Sequence, residues 1–199
     1  MMVFWKKNKL FLVYAVLLAV AFACTGSEYE RLKDKELARN VRYDSLFLGL
    51  KFGMTKKEFF KHCWDLNKAG VLSNGPSSLS VQYRLDSTQL RAGAYMWFYP
   101  EFKDDKIVKM PIKFTYREWA PWNQQLSSDS LLFDVTRMME KWYGGRFIEV
   151  KSNTDDRIVK VKIDGNRRIR LFKESISTIR ADITDLKELE KELANTEKP

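Results

Sequence analysis

Twice along this chain a stretch with helical spacing of apolar residues is followed by a train of short alternating segments. That repeated order constrains the fold more than any other feature. In the first stretch Phe59, Phe60, Cys63 and Trp64 fall at i, i+1, i+4 and i+5, while Lys57, Lys61 and Asp65 point away. In the second, Leu131, Leu132, Val135, Met138, Met139 and Trp142 form a helical stripe over about 130–143. Thr55 and Glu58 make a T-x-x-E capping pair, and Gly70 suits a helix end. Asp129 is placed to cap the second helix, which Gly144-Gly145 ends. Both stripes are expected to bury their tryptophans, Trp64 and Trp142.

Alternation predicts strands at Ser80–Leu85 and Lys106–Tyr116 after the first helix, and aromatic content one at Ala94–Tyr99, with Asp104-Asp105 as a turn. After the second it predicts Arg146–Lys151, Arg157–Ile163, Arg167–Phe172 and Ile176–Asp182. The expected fold class is α+β: an antiparallel sheet with two helices packed on one face, in tandem α-β-β-β units over about 46–117 and 128–183 of a single domain, 46–183. From 184 to 199 a short C-terminal helix with Leu186, Leu189 and Leu193 on one side runs into a tail.

The N-terminus reads differently. Lys6, Lys7 and Lys9 precede an uncharged run from Leu10 to Ala23, the pattern of a secretory leader over residues 1–23. As a helix that run rises only about 21 Å, short of the roughly 30 Å apolar core of a bilayer. Ala21-Phe22-Ala23-Cys24 resembles the lipobox of bacterial lipoproteins, which implies acylation of Cys24. An ordinary signal peptidase cutting after Ala23 is the alternative, and would leave a soluble chain. Residues 24–45 are polar and rich in Glu, Lys and Arg, and read as a tether, with a short exposed helix over Glu28–Arg39 as the alternative. With Cys24 acylated, Cys63 is the remaining thiol, so no intramolecular disulfide is expected; without acylation a Cys24–Cys63 bridge is conceivable.

Gly53-Met54-Thr55-Lys56-Lys57-Glu58-Phe59 resembles the helix start of the small outer-membrane assembly lipoproteins, the SmpA/OmlA or BamE family. Helix and strand hairpins together are similar to that fold and to the β-lactamase-inhibitor-like proteins, which use such a unit in tandem. The resemblance implies an outer-membrane location and a fold; it does not carry over an assembly role.

The net charge of +9 is spread along the chain without a long basic run, so nucleic acid is not singled out as a partner. One histidine and two cysteines leave no metal-ligand pattern, and neither phosphate loop nor nucleophile elbow is present. His62 and Cys63 are adjacent on a helix, about 100° apart, and so poorly placed to share a proton. The expectation is therefore no enzyme, no catalytic residue and no cofactor. What remains is a lipid-anchored interaction or structural module of the Gram-negative envelope with a protein partner, or a binding module for glycan or anionic lipid.

Two sites are candidates for such a ligand. Trp119 and Trp122 flank Pro121 beside the amides of Asn123, Gln124 and Gln125, so that indoles are offered to sugar rings and amides to hydroxyls; the plain alternative is that they cap the core. Asp164-Gly165 joins two alternating runs as a hairpin. A two-residue turn there would pair Val161 with Arg168 and mix the faces. A three-residue loop through Asn166 pairs Val161 with Ile169 and gathers Lys160, Lys162, Arg168 and Arg170 on one outer face, and this register is preferred. Those cations would hold phosphate, or merely keep the face solvated.

Overall fold

The computed structural model describes residues 28–77, 79–152 and 155–196, so the leader and Cys24 lie outside the described residues. In chain order the elements are α1 (Glu28–Ala38), α2 (Lys56–Lys68), β1 (Leu72–Asn74), β2 (Val81–Leu85), β3 (Ala94–Phe98), β4 (Glu101–Lys103) and β5 (Lys106–Tyr116). A 3-10 turn (Gln124–Leu126) precedes α3 (Ser128–Tyr143), β6 (Ile148–Lys151), β7 (Ile158–Asp164), β8 (Arg167–Lys173), β9 (Thr178–Asp185) and α4 (Leu186–Thr196). The protein is α+β. All nine strands form one antiparallel sheet in the order β1-β2-β3-β5-β9-β8-β7-β6, with β4 paired to β5 off this path.

Local signals place several of these elements. At the start of α2 the Thr55 N–H donates to Glu58 Oε2 (2.8 Å) and the Glu58 N–H to Thr55 Oγ1 (3.2 Å). Asp104 and Asp105 both take positive φ, the mirror-image turn that suits a tight hairpin between β4 and β5. The cap of α3 is Ser127, not Asp129; Asp129 instead pairs with Lys173 at 2.8 Å.

The main core lies between one sheet face and helices α2 and α3. Ala94, Met96 and Phe98 of β3, Met110, Ile112 and Phe114 of β5, and Ile179, Ala181 and Ile183 of β9 meet Phe59, Leu131, Val135 and Met139. The helices bury narrower stripes than their sequence pattern predicts. Phe59 and Cys63 are buried in α2, whereas Trp64, a turn of about 100° away, is 60 % exposed. Trp142, at the end of α3, is 37 % exposed, so neither tryptophan is the core residue expected.

A second cluster covers the other face, at the β6–β9 end. Val159, Val161 and Ile163 of β7 pack with Tyr29, Leu32 and Leu37 of α1 and with Leu186 and Leu189 of α4. The segment read as a tether thus contains a docked helix. Glu36, inside α1, is buried and accepts the Gly165 N–H at 3.0 Å.

That docking selects a hairpin register neither alternative anticipated. Asp164 pairs with Arg167 around Gly165-Asn166, so Val161 faces Arg170, and Lys162 faces Ile169. Asn166 is fully buried: its Oδ1 accepts the Tyr43 N–H (2.6 Å) and its carbonyl the Leu186 N–H (2.7 Å). Since helices cover both faces of this hairpin, nothing required one face to be wholly polar; each cation needed a partner instead.

Candidate functional site

The four hairpin cations therefore do not form one surface. Lys160 and Lys162 share a face with Ile169 and Leu171, while Arg168 and Arg170 share the opposite face with Val159, Val161 and Ile163. Lys160 reaches Glu149 across the strand (2.6 Å), buried Lys162 pairs with Asp164, Arg168 Nη1 donates to the Tyr29 hydroxyl (2.8 Å), and Arg170 Nη2 donates to Asp182 (2.9 Å). Arg168 and Arg170 border a groove of about 590 Å³ beside the start of α1, but both are already engaged there.

The tryptophan loop borders an open cleft. It leaves β5 at Arg117, whose N–H donates to the Gly93 carbonyl (2.9 Å), and ends where the Ser128 N–H donates to the Ile176 carbonyl (3.0 Å). Buried Leu126 pins the 3-10 turn. Between the loop, the first turn of α3 and the β8–β9 turn lies a cleft of about 620 Å³, lined among others by Trp119, Pro121, Asn123, Gln124, Ser175 and Ile176. Trp119 is half-buried and packs against the main core with one part of its ring while lining the cleft. Trp122 does not line it and stands 85 % exposed. The structure thus separates the two indoles that the sequence grouped.

A polar brace joins the end of β5 to α3. Tyr116, the last residue of β5, donates from its hydroxyl to Asp134 Oδ2 (2.7 Å), and Arg91 forks onto the same carboxylate with Nε and Nη2 at 3.0 Å. Burial opposes the charge on Asp134, but the Arg91 fork and the Tyr116 hydroxyl hold its carboxyl below the usual aspartate value. The same burial, with the neighbouring carboxylate, pushes the Tyr116 phenol up. Cys63 has no partner in such chemistry; burial raises its thiol to about 11, as befits a packed apolar group. Among the described residues no group of His, Cys, Asp and Glu is arranged to hold a metal ion.

Sequence reasoning missed the Arg91–Asp134–Tyr116 brace, because its members lie far apart in the chain. It also missed the outward side of β3. The run Ala94-Tyr95-Met96-Trp97-Phe98 alternates buried and half-buried, so Tyr95 and Trp97 point away from the core. The run is apolar or aromatic throughout, so only the two-residue period of a strand could have divided it into two faces.

Fold and cleft together describe an α+β domain with one broad antiparallel sheet and an open, aromatic-walled cleft at its end. No family model matches the chain, and no curated protein sequence matches it. Among solved structures, it is similar to a DUF4309 family protein (YjgB) from Bacillus subtilis subsp. subtilis str. 168, at 15 % identity and a TM-score of 0.33, covering 78 % of this chain and 94 % of that one. No helix of the described residues is long and apolar enough to cross a membrane.

Proposed function

We propose that this protein is a lipid-anchored, non-enzymatic binding module of the Gram-negative cell envelope, held to the outer membrane through Cys24, and that its ligand is glycan. The observation that carries the ligand is the Trp119 cleft. The half-buried Trp119 lines a cleft of about 620 Å³ together with Asn123, Gln124 and Ser175. An aromatic face takes the apolar side of a sugar ring, and short polar side chains take its hydroxyls. The leader and Cys24 support export and anchoring. The strand order supports the tandem reading, since the two halves meet at β5 and β9 and each runs outward to its first strand.

A protein partner is the second reading, favoured by Phe60, Trp64 and Leu79, which expose large apolar surface around a groove of about 560 Å³ beside the edge strand β1. Calorimetry of the purified chain against oligosaccharides from envelope polymers tests the glycan reading. Trp119→Ala should lose binding at least tenfold while Trp122→Ala leaves it unchanged; equal affinity of wild type and Trp119→Ala overturns it. An unmodified mature N-terminus at Cys24 by mass spectrometry overturns the anchor.

A further inference from the structure

The sheet face opposite the main core is covered at the β6–β9 end by α1 and α4, but Tyr95 and Trp97, at the β3 end, belong to neither core. Their rings stack at 5.7 Å with planes 21° apart. Trp97 is fixed from the side: its Nε1 donates to Gln82 Oε1 (2.8 Å), and Gln82 Nε2 donates to Ser73 Oγ (3.1 Å). Ser73, Gln82, Trp97 and Lys113 stand directly opposite one another across β1, β2, β3 and β5, forming one ordered row. The next row holds Arg84, Tyr95, Thr115 and Thr178. Arg84 is exposed and has no ion-pair partner among the described residues.

The β8–β9 turn links this face to the Trp119 cleft. Lys113 pairs with Glu174 (2.8 Å), a residue of the β8–β9 turn that lines the cleft, and Thr115 Oγ1 donates to the Ser177 carbonyl (3.0 Å) in the same turn. We propose that the stacked Tyr95–Trp97 pair is a second saccharide subsite, so that an extended glycan chain bearing acidic groups passes from the cleft over the β8–β9 turn onto this face. The proposal rests on the glycan reading of the cleft.

Two features select this ligand. A stacked aromatic pair with Trp97 held by a hydrogen bond is already ordered, so a sugar ring settling on it costs little side-chain entropy. The exposed Arg84 guanidinium, unpaired among the described residues and opposite Tyr95, then selects carboxylate or phosphate on the chain. A protein partner would need a broader apolar centre than two half-buried rings among polar residues supply.

The test is a chain-length series on the full protein by calorimetry, using oligogalacturonates of two to eight units as acidic probes and chitooligosaccharides of two to six units as neutral ones. Affinity should rise with length, and the long acidic probes should bind tighter than neutral ones at low salt. Trp97→Ala should weaken the longest probes about tenfold and leave the dimers unchanged. Arg84→Gln should abolish the acidic preference and leave the neutral series as it was. Length-independent affinity that Trp97→Ala does not change would overturn the second subsite and leave the cleft standing. Conversely, binding lost in Trp97→Ala but kept in Trp119→Ala would overturn the cleft reading. No binding of any probe overturns both. Circular dichroism and a melting curve on each variant separate a lost contact from a lost fold.

Discussion

The guanidinium of Arg167 lies 4.4 Å from the ring centroid of Tyr143 and 5.4 Å from that of Tyr43, so a buried cation from β8 is clasped between the end of α3 and the segment after α1. Its two terminal nitrogens are paired, while Nε is buried without a partner among the described residues. Nη1 donates to the Ser45 carbonyl at 2.7 Å and Nη2 to Asp164 at 3.1 Å. Tyr143 is held in turn by its hydroxyl, which donates to the Leu46 carbonyl at 3.1 Å. One side chain thereby joins the N-terminal segment, the hairpin and α3. Arg167→Met should cost about 3 kcal/mol, because Asp164 loses a partner and the two rings lose their cation. For a domain this size that is a fall in Tm of about 6–12 °C. Arg167→Lys should recover less than half, since an ammonium cannot fork between Ser45 and Asp164 while lying flat between rings. Wild-type melting in the lysine variant would show that the fork contributes nothing.

Docking of α1 makes its own prediction. Glu36 is the acceptor for the buried Gly165 N–H, and Gly165 itself has φ +52° with the Val41 carbonyl where a Cβ would sit. Glu36→Ala should cost about 1–3 kcal/mol by leaving that donor unpaired, and Glu36→Gln, which keeps an acceptor, should cost less. Hydrogen exchange at the Gly165 amide reads the effect directly: fast exchange in Glu36→Ala and slow exchange in Glu36→Gln. Equal protection in both would mean that the helix does not close over the turn.

Asp134 should make stability fall at acid pH. Its carboxyl is held below the ordinary value of 3.8 in the folded chain, so the unfolded chain binds the proton more readily. Stability from this group is therefore present above the unfolded value and is lost as pH falls through the lower folded value. Urea midpoints of wild type and Asp134→Asn, measured from about pH 7 down to about pH 3, should differ most at neutral pH and converge at the acid end. A constant gap would show that Asp134 does not titrate as part of the brace with Arg91 and Tyr116.

The elements that the sequence made legible are those decided locally. Thr55 and Glu58, Asp104-Asp105 and Gly70 satisfy their backbone groups within a few residues, and the alternation of β5 and β8 can be read from their own residue order. The hairpin register at Gly165-Asn166 was not legible, because it is set by partners more than a hundred residues away: Glu36 on the Gly165 amide and the Tyr43 N–H on Asn166. Once α1 covers the second face, Val159 and Arg168 share a side without conflict. The same long-range closure explains the site. Trp119 was found as a ligand candidate because it stands in a polar loop, while Tyr95 and Trp97 were hidden inside a run that looked like core throughout.

The clearest check on which helix face is buried compares two neighbours in α2. Phe59 is fully buried and meets Tyr99 and Phe102 edge to face at 5.8 and 5.9 Å, whereas Trp64 has only Lys68 over its ring, at 5.2 Å, and stands in solvent. Phe59→Ala should cost about 3–5 kcal/mol through the cavity it leaves. Trp64→Ala removes a larger side chain but opens no cavity, so its cost should stay below about 1 kcal/mol. The inversion of size and cost is the signature, and chemical denaturation of the two variants measures it. If Trp64→Ala were the more damaging, α2 would have to be rotated by about one residue, bringing the sequence stripe back into the core.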